Sequence, residues 1–149
     1  MTPTATHATA TLLQAVYKNV KMGGDSLLNL MSKVRDERLK SAMTVQLSVY
    51  EAFSSRAAKL LGEEGIKPED EGVVTKLSSK WGMAMNTMLD STTSHLAEMI
   101  IEGATMGVND MIKQIREKEN SNASEASLRL ARDVCEFEEK TIEEMKAFL

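Results

Sequence analysis

An all-α bundle of four long helices is the fold this sequence predicts, and three observations predict it. Apolar residues recur at alternating steps of three and four along most of the chain, the period of one helix face. Only two prolines and eight glycines interrupt 149 residues, and both Pro3 and Pro68 stand outside the apolar seams. A chain of this length also suits one domain around a single core.

The first seam runs through Leu13, Val16, Val20, Gly23, Leu27, Leu30 and Val34, which predicts a helix over 11–35. Residues 1–10, MTPTATHATA, carry neither a basic start nor an apolar stretch, so they are expected to be a flexible tail rather than a secretory signal. Leu39, Met43, Gln46, Tyr50, Phe53, Ala57 and Leu60 form a second seam and predict a helix over 37–61. The link at Arg35-Asp36-Glu37 is short, so the two should fold back as an antiparallel hairpin. GEEGIKPEDEG reads as a loop by its glycines, proline and charge.

Val74, Leu77, Trp81, Met85 and Met88 give a third stripe, expected as a helix over 68–89. Leu96, Ala97, Ile100, Ile101, Ala104, Val108, Met111, Ile112 and Ile115 give a wider one over 92–118. The last helix, over 124–148, is expected to turn Leu128, Ala131, Cys135, Glu138, Ile142, Met145 and Leu149 inward, with the turn at Asn120–Ser124 before it.

Length decides the order of these pieces. One helix from Val73 to Lys118 would be roughly 65–70 Å long, against about 35–40 Å for the first, second and last. The overhang could not be buried, so a break is expected at Asp90-Ser91-Thr92-Thr93, where short polar side chains can cap a new helix. The piece before the break then returns the chain along the bundle as a helical crossover carrying Trp81. Residues 11–149 become a single bundle domain running up, down, crossover, down, up.

Composition excludes several classes of function. The net charge of −4, with no Lys/Arg cluster, argues against nucleic acid as a partner. No apolar run approaches eighteen residues, so no membrane association is expected. Cys135 is alone, which rules out an internal disulfide and a multi-thiolate metal site and suits a reducing cytoplasm. There is no glycine-rich phosphate loop and no Ser/His/Asp set that a bundle could assemble.

The opening TLLQAVYKNVKMGGDSLLNLMSKVRDERLKSAM, the stretch KLSSKWGMAM and the closing LARDVCEFEEKTIEEMKAFL together resemble a ferritin-like family of uncharacterised bacterial proteins, a domain of unknown function. The resemblance implies a ferritin-like four-helix bundle with two antiparallel hairpins and a long crossover. It also implies carboxylates and a histidine at mid-bundle, and with them a di-metal site. This chain departs from that pattern. A ferritin-type site takes one Glu from each of two helices and Glu-x-x-His from each of the others. Here Met22-Gly23-Gly24-Asp25 stands where a first-helix Glu would be, the second helix offers Glu51 with Ser54 three residues on, and the last carries Glu136-x-x-Glu139. No Glu-x-x-His occurs in the chain.

Two places remain as candidate sites. His95, Glu98 and Glu102 are spaced as helical neighbours. With the core face centred on Ala97, Ile100, Ala104 and Val108, however, His95 points nearly opposite the core and Glu102 roughly 160° away. They read as a solvent face. Glu138 lies on the last seam, and a buried lone carboxylate must be paired, protonated or wet. Counting from the turns places Glu138 beside Gly103 and Ala104, and Gly23 beside Tyr50, all near the middle. Glu138 then either joins Gln46 and Tyr50 in a buried polar layer or leans outward at a wet edge.

Cys135 is expected to be an inert buried thiol. Gly103-x-x-x-Gly107 reads as close helix packing. Met22, Met99 and Met106 fall beside the seams, which hints at self-association. The functional expectation is a non-catalytic structural or protein-interaction module, a homodimer or larger, with an unknown protein partner and no cofactor. The alternative is a metal-binding or redox protein holding di-iron or manganese through Glu51, Glu136, Glu138 and Glu139.

Overall fold

The computed structural model describes residues 3–68, 85 and 88–149. Among these the chain is helix and connecting turn, with no strand. Four helices pack against one another: α1 (Pro3–Met31), α2 (Glu37–Glu63), α3 (Thr93–Asn120) and α4 (Glu125–Met145), the last followed by a short 3-10 turn (Lys146–Phe148). No helix among the described residues is long and apolar enough to cross a membrane. The crossover helix expected over 68–89, with Trp81, lies outside the described residues apart from Pro68, Met85, Met88 and Leu89.

The first helix starts earlier than expected. Residues 3–10 are helix rather than tail, and Ala5, Ala8 and Thr9 are buried. Proline at the first position suits a helix start, because its missing N–H would have had no partner there. Thr9 then ties the segment down. Its hydroxyl donates to the Ala5 carbonyl at 2.9 Å and accepts the backbone N–H of Ser124 at 2.8 Å, joining the beginning of α1 to the beginning of α4. The far end of α1 stops at Met31 instead of residue 35. The chain tightens there through Lys33 N–H to Leu30 O and Val34 N–H to Met31 O. It must then reach the extended backbone of Asp36, whose carboxylate accepts the N–H groups of Arg38 and Leu39, both at 2.9 Å, and caps α2.

The remaining ends follow the same capping logic. Thr92 accepts the N–H of His95 and Ser124 that of Ser127, each at 3.2 Å, and each cap contributes about 1 kcal/mol. Gly65 ends α2 at φ 72° and Asn122 ends α3 at φ 58°, both left-handed. The N–H of the following residue reaches back five positions in each case, Ile66 to Leu61 and Ala123 to Lys118.

Hydrogen bonds set the register. Going up α2, Gln46 meets Glu144, Tyr50 meets Glu138 and Arg56 meets Asp133, so α2 and α4 run antiparallel. On α1, Asn19 meets Gly107 while Leu27 and Leu30 lie level with Ile100 and Gly103, so α1 and α3 are antiparallel too. With α1 against α2 and α3 against α4 as tight hairpins, the directions are up, down, down, up.

The core is aliphatic along its length, with Leu12, Val16, Leu39, Leu61, Met111 and Leu130 all but fully enclosed. On α4 Leu128, Ala131, Cys135, Glu138 and Met145 are buried as the seam predicts, joined by Ser127, Leu130, Val134 and Thr141, whereas Ile142 is half-buried and Leu149 is exposed. Met22 and Met99 are also inside the bundle and Met106 is partly so, which removes the methionine hint of self-association.

Candidate functional site

Glu138 lies on the inward face of α4, as its place in the seam predicts, and only 2% of it is exposed. What makes room for it is the lack of a side chain at Gly107 on α3. A Cβ there would collide with the Glu138 carboxylate, 2.6 Å from Oε1. Tyr50 on α2 is accommodated in the same way by Gly23 on α1, where a Cβ would fall onto the tyrosine ring. Two glycines on one side of the bundle thus receive two polar side chains from the other.

Those side chains meet. The Tyr50 hydroxyl donates to Glu138 Oε2 at 2.9 Å. Phe137 packs edge-on against the Tyr50 ring, centroids 5.1 Å apart and planes at 87°, and Phe53 stands against Phe137 in turn. Asn19, one residue before the apolar Val20, completes the wall. Its Nδ2 donates to the Gly107 carbonyl at 3.1 Å, fixing α1 to α3 at the level of the acid. Gln46 is as buried as Glu138, but its Nε2 donates to Glu144 Oε1 at 3.2 Å. The structure therefore brings Tyr50 and Glu138 together directly and leaves Gln46 a neighbour across a small chamber.

That chamber sits between all four helices, lined by the polar Asn19, Ser26, Gln46, Tyr50, Glu138 and Thr141 and by apolar side chains that include Met22, Leu27 and Ile100. It has ≈ 30 Å³ of room for the centre of a water-sized molecule. Of the three buried side-chain oxygens without a hydrogen-bond partner among the described residues, two, Gln46 Oε1 and Glu138 Oε1, belong to residues that line this chamber, and the third is Gln114 Oε1.

Electrostatics follow from burial. Desolvation pushes the Glu138 carboxyl up to about 8, opposed by the Tyr50 hydrogen bond and the facing Asn19 amide and reinforced by Asp110 nearby. At neutral pH the acid is mostly protonated. Burial, then the charge of Glu138, raises Tyr50 well above its ordinary value. The Cys135 thiol is pushed to about 12, chiefly by burial and then by Glu139, whose carboxylate it meets at 3.4 Å. It is not a nucleophile at neutral pH.

The other candidates lie elsewhere. Glu51, Glu136 and Glu139 are exposed. Among the described residues no three His, Cys, Asp or Glu side chains converge as a metal site would require. His95 pairs with Glu98 at 3.3 Å on the outer face, and Glu102 is exposed. Asn19 is the site residue that the sequence pattern missed. A polar residue adjoining Val20 in the first seam was the available signal. Gly107, one helical turn beyond Gly103, meets the Glu138 carboxylate. Gly103 and Ala104 still line the chamber. No protein-family model, no curated protein and no solved structure matches the chain.

Proposed function

We propose that this chain is a non-catalytic, ferritin-like helical bundle with a structural or protein-interaction role, working as a homodimer or larger assembly in a reducing compartment. The up, down, down, up order of the helices supports the ferritin-like comparison. Leu28 and Val45, 55% and 64% exposed, offer apolar surface for assembly.

The observation that carries the non-catalytic reading is the make-up of the mid-bundle chamber. A pair of iron or manganese ions bound between helices needs several ionised carboxylates, usually with histidines. Among the described residues the chamber offers one carboxyl group, largely neutral at pH 7 and bonded to a tyrosine, with the amides of Asn19 and Gln46 and the hydroxyls of Ser26 and Thr141 as its other polar neighbours. Glu51, Glu136 and Glu139 face the other way. This donor set does not fit a di-metal centre, and no redox step is derived through one.

The test is elemental analysis of protein purified from cells supplied with iron and manganese. Substoichiometric metal, unchanged in Glu138→Gln, is the expected result. Stoichiometric metal that disappears in that variant would reverse the reading in favour of the metal-binding alternative. Light scattering checks the assembly, and a strict monomer at high concentration would remove that part of the proposal.

A further inference from the structure

The chamber beside Glu138 has the chemistry of a small binding site. We propose that it takes a short primary alkylammonium, the cationic head held by Glu138 Oε1 and Gln46 Oε1 and the alkyl tail by the apolar wall. This goes beyond the structural role and does not rest on it.

Three observations carry the proposal. Two side chains that line the chamber, Glu138 and Gln46, each carry a buried oxygen with no hydrogen-bond partner among the described residues, and both are 2% exposed. An ammonium group has three N–H donors and no acceptor, so it matches such a pair where a carboxylate or phosphate would be repelled. Among the described residues no basic side chain lines the chamber, so an ionised Glu138 has no counter-charge there, and a bound cation would supply it. Beside the hydroxyls of Ser26 and Thr141, the wall carries Met22, Leu27, Leu30 and Ile100, suited to a few methylenes, and the room of ≈ 30 Å³ for water-sized centres restricts the guest to a small molecule.

Binding moves a proton. The ammonium keeps its charge, the Glu138 carboxylic acid gives its proton to solvent, and an ion pair replaces the neutral acid. The groups that face Glu138 are Tyr50 from α2, Asp110 from α3 and the uncharged Asn19 from α1, with Cys135 and Glu139 on its own helix. Tyr50 and Cys135 are both pushed up, chiefly by burial, and burial raises Asp110 as well, so the test rests on the dependence that Glu138→Gln removes. Affinity should rise roughly tenfold per pH unit up to about pH 8 and then level off.

The experiment titrates the full chain with n-propylammonium chloride and follows the Ile100 methyl signals by NMR, with n-propanol and propionate as matched controls. The expected result is a saturable shift at Ile100, strongest at about pH 8. Propanol and propionate should bind at least about tenfold more weakly, in line with the loss of one charge-assisted contact. Glu138→Gln keeps the shape and the Tyr50 hydrogen bond, so it should fold, show native methyl dispersion and lose at least about tenfold in ammonium affinity. Gln46→Met tests the second oxygen independently and should weaken binding while leaving the pH dependence in place. No saturable shift at about pH 8 would overturn the proposal. So would propanol binding as tightly as the amine, or shifts that Glu138→Gln leaves unchanged.

Discussion

Replacing Glu138 with Gln isolates the energetic consequence of burying one acid. In the folded chain the carboxyl holds its proton up to about pH 8, whereas its ordinary value is 4.5. Between those values the folded state binds more protons than the unfolded state, so stability falls as pH rises and flattens above about 8. Each pKa unit corresponds to about 1.4 kcal/mol, and the difference of 8 − 4.5 gives about 5 kcal/mol across the window. Local rearrangement that admits water would reduce this figure. Glutamine has no proton to lose. Its amide carries a fixed burial cost that offsets the whole curve without tilting it. Urea unfolding of both proteins at a series of pH values measures the difference directly. Wild type should lose stability relative to the variant from about pH 5 to about 8, by up to about 5 kcal/mol in total. A difference that stays flat over that range would refute the claim that Glu138 is held neutral in the fold.

Three further outcomes follow from the same geometry. Tyr50→Phe leaves Glu138 Oε2 without its donor and should cost about 1–3 kcal/mol in denaturant unfolding. Because the Tyr50 hydrogen bond holds the acid down, the variant's stability curve should flatten at higher pH than that of wild type. Gly23→Ala should destabilise by about 1–3 kcal/mol, since the new methyl meets a Tyr50 ring already wedged by Phe137, while Gly62→Ala, with nothing within 4 Å, should gain up to about 1 kcal/mol from helix propensity. Thermal melts of the pair separate close packing from propensity. Cys135 should react with a thiol reagent at about pH 8 only on the timescale of unfolding, because burial and Glu139 keep it protonated to about 12. Rapid labelling of the native protein would contradict its placement.

The parts of the fold that were legible are those where large apolar side chains mark the period. Leu39, Met43 and Ala57 on α2, and Leu96, Ile100 and Met111 on α3, are buried as their spacing requires. The pairing of Gly23 with Tyr50 could be counted out from the short turn at Asp36, since a hairpin with little slack leaves one register. Small and weakly polar residues hid the rest. Ala5, Ala8, Thr9 and Leu12 share one helical face, but alanine and threonine carry too little apolar signal to distinguish a packed first turn from a tail. On α4 the inward face includes Ser127 and Thr141, which read as surface residues, so the seam was drawn through Ile142 and Leu149 at its far end, while Glu138 was placed on it correctly. The bond from Gln46 to Glu144 was illegible for another reason. It depends on which way two long side chains extend, and spacing along a helix does not encode that.

The interior acid can be observed directly. A ¹³C NMR titration of the Glu138 side-chain carboxyl, assigned by comparison with Glu138→Gln, should show an inflection near pH 8. An inflection at about 4.5 would show an ionised, solvated side chain, and with it would go the neutral mid-bundle pair on which the reading of this protein stands.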